Sequence, residues 1–223
     1  MDRVSDARHA DNPQDWAVAF ADRMYAAMEA GQPLPRLSAA YPEATIENAY
    51  EVQHLFVARS MGKDGIGGFK AAGVASHHEV APPTGVLPAS GVKSSMDTVV
   101  VDLTEDPNRH VETEIGYIIS TAITEPLPDV EALRQHVGGV AAIIELPGWP
   151  VEQSTESNPI DMIAWNINAK EFIVGSPIPP EKIEPDAVDI MLTLNGEVVN
   201  TARGDNAADG QWLTLLKTVN SIV

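Results

Sequence analysis

Two stretches decide the fold class: Val111-Glu112-Thr113-Glu114-Ile115-Gly116-Tyr117-Ile118-Ile119-Ser120, and Val140-Ala141-Ala142-Ile143-Ile144-Glu145-Leu146. The first alternates in character. Val111, Ile115, Tyr117 and Ile119 fall on one side of an extended chain, and Glu112, Glu114 and Gly116 on the other. The second is an apolar run of strand length ending in a carboxylate, the pattern of a buried strand. Around them Thr98–Leu103 (TVVVDL), Phe172–Val174 and Val188–Leu194 also read as strands. Asn195-Gly196 predicts a two-residue hairpin turn returning into Glu197–Asn200. Asp129–His136 reads as a short helix capped by Asp129 and closed by Gly138-Gly139, and Gln211–Asn220 as a final helix.

Upstream, Asn12 is a candidate cap, Pro13 suits the first helical position, and Trp16, Phe20, Met24 and Met28 mark an apolar stripe that ends at Gly31. A second helix is expected from the Thr45 cap to Gly62, with Ile46, Ala49, Tyr50, Gln53 and Phe56 inward. Between Lys63 and Ser95, glycines and prolines break every periodicity, and a long loop region is expected. No Gly-Lys-Ser/Thr follows those glycines, and a helix rather than a strand precedes them, so they form neither a phosphate loop nor a dinucleotide fingerprint. Helices first and strands grouped after them give an α+β protein rather than a parallel doubly wound sheet. Residues 1–62 are expected as a helical segment packed on the β-rich body of residues 63–223, the two making one structural unit.

The 223 residues carry 32 Asp and Glu against 14 Lys and Arg, a formal charge of −18, and no cysteine. Such a surface repels phosphate backbones and anionic lipid, which speaks against nucleic-acid or membrane partners. Without cysteine there is no disulfide framework, thiolate zinc site or cysteine nucleophile. No apolar run is long enough for a bilayer, and the polar, acidic start lacks a signal-peptide layout, so a cytoplasmic globular protein is expected.

Chemistry is expected first at Glu112 and Glu114. Two carboxylates on one strand face repel each other unless a cation lies between them, although a solvated face of an acidic protein would show the same spacing. Gly116 leaves room beside them. Glu145, at the end of a buried strand, either faces water or an arginine, or joins the pair, because an isolated buried charge is costly. Three carboxylates without thiolates suit a hard ion, Mg²⁺ or Mn²⁺. Three such ligands and a dication leave one negative charge, so an anionic substrate needs a further cation. Lys70, in Gly67-Gly68-Phe69-Lys70, is the candidate, against the alternative of a plain surface lysine. His77, His78 and Glu79 are either exposed or carried on a lid, with Glu79 the candidate acid/base.

These residues carry a resemblance. Tyr41–Gln53 (YPEATIENAYEVQ), Gly68-Phe69-Lys70, Pro83–Leu87 (PTGVL), Glu112-Thr113-Glu114, Glu145, Asp161–Asn166 (DMIAWN) and Ile173-Val174-Gly175 occur in the order found in the 2-keto-4-pentenoate hydratase family. That family lies within the fumarylacetoacetate hydrolase superfamily. The resemblance runs from about Ala39 to the end of the chain. It implies a mixed β-roll of the fumarylacetoacetate hydrolase C-terminal-domain type. It also implies a metal held by Glu112, Glu114 and Glu145, and a small 2-oxo carboxylate substrate contacted by Lys70, Leu87 and Asn166. The activity implied is hydration of a 2-hydroxy-2,4-dienoate or 2-oxo-enoate in aromatic catabolism. An acylpyruvate hydrolase, a 2-oxo acid decarboxylase, or a catalytically degenerate binding or scaffold member are the alternatives. Ala71-Ala72-Gly73-Val74 replaces the family's Gly-Leu-Thr-like run, and Trp165 stands where the family has an acid. The family's strands beyond the helix of Trp212 are expected to be missing, since the sequence stops at Val223. A homo-oligomer is expected. If Lys70 serves only the substrate, Lys70→Met should change KM or kcat and leave Mn²⁺ affinity nearly intact.

Overall fold

The structure, a computed structural model, describes residues 13–94, 98–102, 104, 110–152 and 158–223. In chain order, α1 (Pro13–Glu29), α2 (Leu37–Ala40) and α3 (Ile46–Met61) precede β1 (Ile66–Ala71), β2 (Thr84–Pro88), β3 (Val92–Ser94) and β4 (Glu112–Ile119). Then come α4 (Val130–Arg134), β5 (Val137–Leu146), α5 (Pro159–Ala164), β6 (Glu171–Val174), β7 (Asp189–Leu194), β8 (Glu197–Arg203) and α6 (Gln211–Asn220). The mixture of helices and a largely antiparallel sheet is α+β. No described helix is long and apolar enough to cross a membrane.

The chain divides into two compact units, the first joining everything up to Asp64 with Trp149–Asn168. Its core follows from the α1 stripe: Phe20 and Met24 are buried against Leu34, Leu37, Val52, Phe56 and Ile163, with Trp16 and Met28 packed alongside. The α3 start is a capping box, in which Thr45 Oγ1 accepts from Asn48 N and Asn48 Oδ1 accepts from Thr45 N. Ile46 stays 40% exposed and Val52 takes the inward place instead, a shift of phase that leaves Ala49, Gln53 and Phe56 inside as expected. The expected Asn12 cap lies outside the described residues.

One polar knot holds this unit's short α5. Asp161 is buried, and its carboxylate accepts from Ser38 N at 2.7 Å, Ser38 Oγ at 2.7 Å and Arg36 Nε at 2.9 Å. Three donors replace the water the carboxylate gave up. Beyond α5, Asn166, Ile167 and Asn168 all take positive φ, at 55°, 50° and 56°. A β-branched residue there is strained. The turn is held by burial of Ile167 and by Asn168 Oδ1, which accepts from Trp149 N at 2.7 Å.

The second unit comprises Gly65–Gly148 and Ala169–Val223. Its main sheet runs β3-β6-β5-β4, with β3 parallel to β6 and the other pairings antiparallel. The pairs β1-β2 and β7-β8 stand as separate antiparallel ribbons. Asn195 and Gly196 form the predicted hairpin turn, both with positive φ. Asp129 caps α4 by accepting from Ala132 N. Two small cores flank the sheet. Leu133, Val137, Trp212 and Leu216 form one, and Leu87, Ala169 and Phe172, with Ile143 and Val174 against them, form the other.

Two expectations fail here. Residues 98–102 form no strand, and Val100 is 85% exposed, so β-branched character without a partner edge does not make a sheet. Leu103 lies outside the described residues. The Lys63–Ser95 stretch, expected as loop, contains β1, β2 and β3.

Candidate metal centre

The site is built on the pairing of β4 with β5. Glu112 lies directly opposite Glu145, and Glu114 opposite Ile143, so all four side chains share one face. Like charges facing each other across strands are destabilising. Here three of them converge, and carboxylate oxygens of Glu112, Glu114 and Glu145 lie within 4.8 Å of one another. Gly116 permits this differently from the expectation. A Cβ there would collide with Ile143 Cγ1, so the room is filled by Ile143, which packs against the Phe172 core and lies beside the carboxylates on the same face. Gly116→Ala should therefore displace Ile143 and lower stability by about 1–3 kcal/mol, read as a fall in urea midpoint at constant slope. An unchanged midpoint would show that Ile143 has slack.

Lys70 supplies the nearest positive charge. It sits on β1 opposite Gly85, and its Nζ lies 2.5 Å from Glu145 Oε2 and 3.4 Å from Glu112 Oε2. On the far side of Glu112, His110 Nε2 lies 3.1 Å from Oε1. Glu145 is 2% exposed, and its Oε1 has no hydrogen-bond partner among the described residues. Burial pushes the Glu145 carboxyl up to about 7, with Lys70 opposing and the two neighbouring carboxylates adding to the rise. Glu114, which keeps contact with solvent, is also raised, first by the protein crowded around it; Lys70 opposes this and Glu112 adds to it. One ammonium against three carboxylates leaves the site electron-rich. An orphaned buried oxygen within a set of hard donors is what a divalent cation of the magnesium or manganese kind would satisfy.

The structure thus brings together Glu112, Glu114, Glu145 and Lys70. Leu87 is buried in the Phe172 core of the same unit. Asn166 belongs to the first unit and is buried in its left-handed turn. Glu79 is exposed and makes no hydrogen bond or ion pair to any of those four. Its loop is tied down from elsewhere. Asp209 accepts from His77 Nδ1 at 2.7 Å, His78 N at 3.2 Å and Lys217 Nζ at 2.9 Å, and those hydrogen bonds, His77 first, hold its carboxyl far below the usual range. Lys217 also donates to His78 O. His110 was within reach of sequence reasoning, being two residues before Glu112 on the same face. Asp209 and Lys217 were not, because nothing local links them to residues 77 and 78.

No family model matches the chain. Two curated proteins are 26% identical over 196 residues, 82% of this chain and 70% of their own length. They are a 2-keto-4-pentenoate hydratase of Paraburkholderia xenovorans (strain LB400) and 2-keto-4-pentenoate hydratase 3 of Pseudomonas putida. Among solved structures, 4-oxalocrotonate decarboxylase from Pseudomonas putida G7 complexed with magnesium and adipate matches with a TM-score of 0.81 at 21% identity, over 93% of this chain and 81% of that one. The same enzyme complexed with calcium and acetate matches with a TM-score of 0.77 at 20% identity, over 94% and 81%. These structural likenesses establish the fold. The hydratase resemblance visible in the sequence motifs recurs in the curated relatives.

Proposed function

We propose, from the premise that this chain is a relative of the 2-keto-4-pentenoate hydratases, that it is a divalent-metal enzyme hydrating a 2-hydroxy-2,4-dienoate or 2-oxo-enoate. Glu112, Glu114 and Glu145 would hold Mg²⁺ or Mn²⁺, on strands of a mixed β-roll. The observation that carries the reading is the buried, unpartnered Glu145 Oε1 within a cluster of three carboxylates. An ion bound there would supply a Lewis acid for the carboxylate and 2-oxo oxygens of the substrate. The chain's own residues do the rest. Ile143 and the Phe172 core give the carboxylate face an apolar side, which strengthens the charge interactions beside it. Lys70 offers its ammonium to the substrate carboxylate. Leu87 is proposed to contact the substrate, and Glu79 to move a proton between water and the dienoate carbon skeleton. The enzyme is proposed to work in the cytoplasm as a homo-oligomer. Residues 1–62 are proposed as its helical segment and 63–223 as its catalytic part.

Equilibrium dialysis with Mn²⁺ tests the centre: wild type should bind one ion, and Glu114→Ala should weaken binding by at least about tenfold. Equal, negligible binding by both would instead support a non-catalytic binding or scaffold protein. Three substrates then separate the reactions. The expected result is water addition to a 2-hydroxydienoate. Release of CO₂ from a 2-oxo-3-enedioate would reassign the chain as a decarboxylase, and cleavage of an acylpyruvate as a hydrolase.

A further inference from the structure

On the reading that Glu112, Glu114 and Glu145 hold a divalent ion, we propose that Lys70 is the internal counter-ion of these carboxylates in the metal-free protein, so that the ion enters only as the ammonium leaves. The contacts carry this. Both oxygens of Glu112 are engaged, Oε1 by His110 at 3.1 Å and Oε2 by Lys70 at 3.4 Å. The same ammonium lies 2.5 Å from Glu145 Oε2, and its side chain is only 12% exposed. A dication seated on Glu112 and Glu145 would therefore compete with Lys70 for the Oε2 atoms that both residues turn toward it. It would also stand within a few ångströms of a like charge in a poorly hydrated place, where the repulsion is strong. Lys70 can yield without disturbing the fold. Its backbone is fixed by the β1-β2 ribbon, where it pairs with Gly85, so only the flexible four-carbon stem has to turn.

The exchange has a consequence for the order of events. Before an ion enters, the Lys70 charge is spent on the protein's own carboxylates. After it enters, the ammonium is released beside the new dication, available to the carboxylate of an incoming 2-oxo acid. Metal first and acid second then follows from charge alone. This differs from the expectation from sequence that Lys70 and the ion are independent, and the two predict different Mn²⁺ affinities for Lys70→Met.

Mn²⁺ affinity is measured by calorimetry at pH 7.5 on wild type, Lys70→Met and Lys70→Arg. Lys70→Met should bind at least about tenfold more tightly, because a competing charge is gone, and Lys70→Arg should stay within about threefold of wild type. A second readout needs no variant. The rate at which an amine-reactive reagent modifies Lys70 in the wild-type protein, followed by peptide mass spectrometry, should rise severalfold on saturation with Mn²⁺. If no form binds Mn²⁺, the metal reading itself fails and takes this proposal with it. If wild type and Lys70→Met bind Mn²⁺ equally, or the Lys70 modification rate does not change with Mn²⁺, the exchange is overturned and the metal centre stands.

Discussion

Glu145→Gln is expected to weaken Mn²⁺ binding by at least about a hundredfold, since even partners outside the coordination sphere are worth about 10–100-fold. Turnover should fall with it, while the fold survives. The substitution keeps the shape of a side chain buried at the end of β5, and removes the one carboxylate that lies opposite Glu112 and touches Lys70. Its effect on pH dependence gives a second signature. Burial holds the Glu145 carboxyl near 7, above its ordinary value of 4.5, so the folded chain binds that proton more tightly than the unfolded chain. The metal-free protein therefore loses stability as pH rises from about 4.5 to about 7, and urea melts in chelator should show that slope flattened in Glu145→Gln. Metal competes with the same proton. Wild-type Mn²⁺ affinity should climb with pH, by up to about tenfold per unit below 7, and level off above it. A Glu145→Gln protein that binds Mn²⁺ as well as wild type would remove Glu145 from the centre.

The second large effect belongs to the helical unit. Asp161→Ala leaves Ser38 N, Ser38 Oγ and Arg36 Nε without their shared acceptor, and leaves the Arg36 charge unbalanced. Removing one member of a buried, hydrogen-bonded ion pair costs about 3–5 kcal/mol. Chemical denaturation should find a loss in that range for Asp161→Ala and a smaller one for Asp161→Asn, which preserves shape and one acceptor. A loss below about 1 kcal/mol for the alanine variant, the median for exposed pairs, would mean that solvent reaches the pocket and replaces the carboxylate.

What sequence could and could not reveal has a physical pattern. β4 was legible because its two faces differ in polarity, and the β7-β8 turn because Asn195-Gly196 tolerates positive φ at both positions. The three acids and Lys70 were legible as residue types whose charges need balancing. Their meeting was expected from the family resemblance and not from local spacing, because the opposition of Glu112 to Glu145 is set by strand register between distant segments. β1 and β2 were hidden because Gly67 and Gly68 within β1 carry no strand propensity and Pro82-Pro83 just before β2 reads as a loop, so that only the pairing of the two strands makes them extended. Thr98–Val101 misled in the opposite way, having propensity without a neighbour.

The alignment of β4 with β5 has one more implication. If the two strands slipped by a single residue, Glu145 would turn to the opposite face from Glu112 and Glu114, with every reactive atom still present in the molecule. On the proposed reading, changes that abolish activity need not touch a polar group. A methyl added at Gly116, or a loosened irregularity between Ile118 and Ile119, would then act by mis-registering carboxylates that are themselves intact.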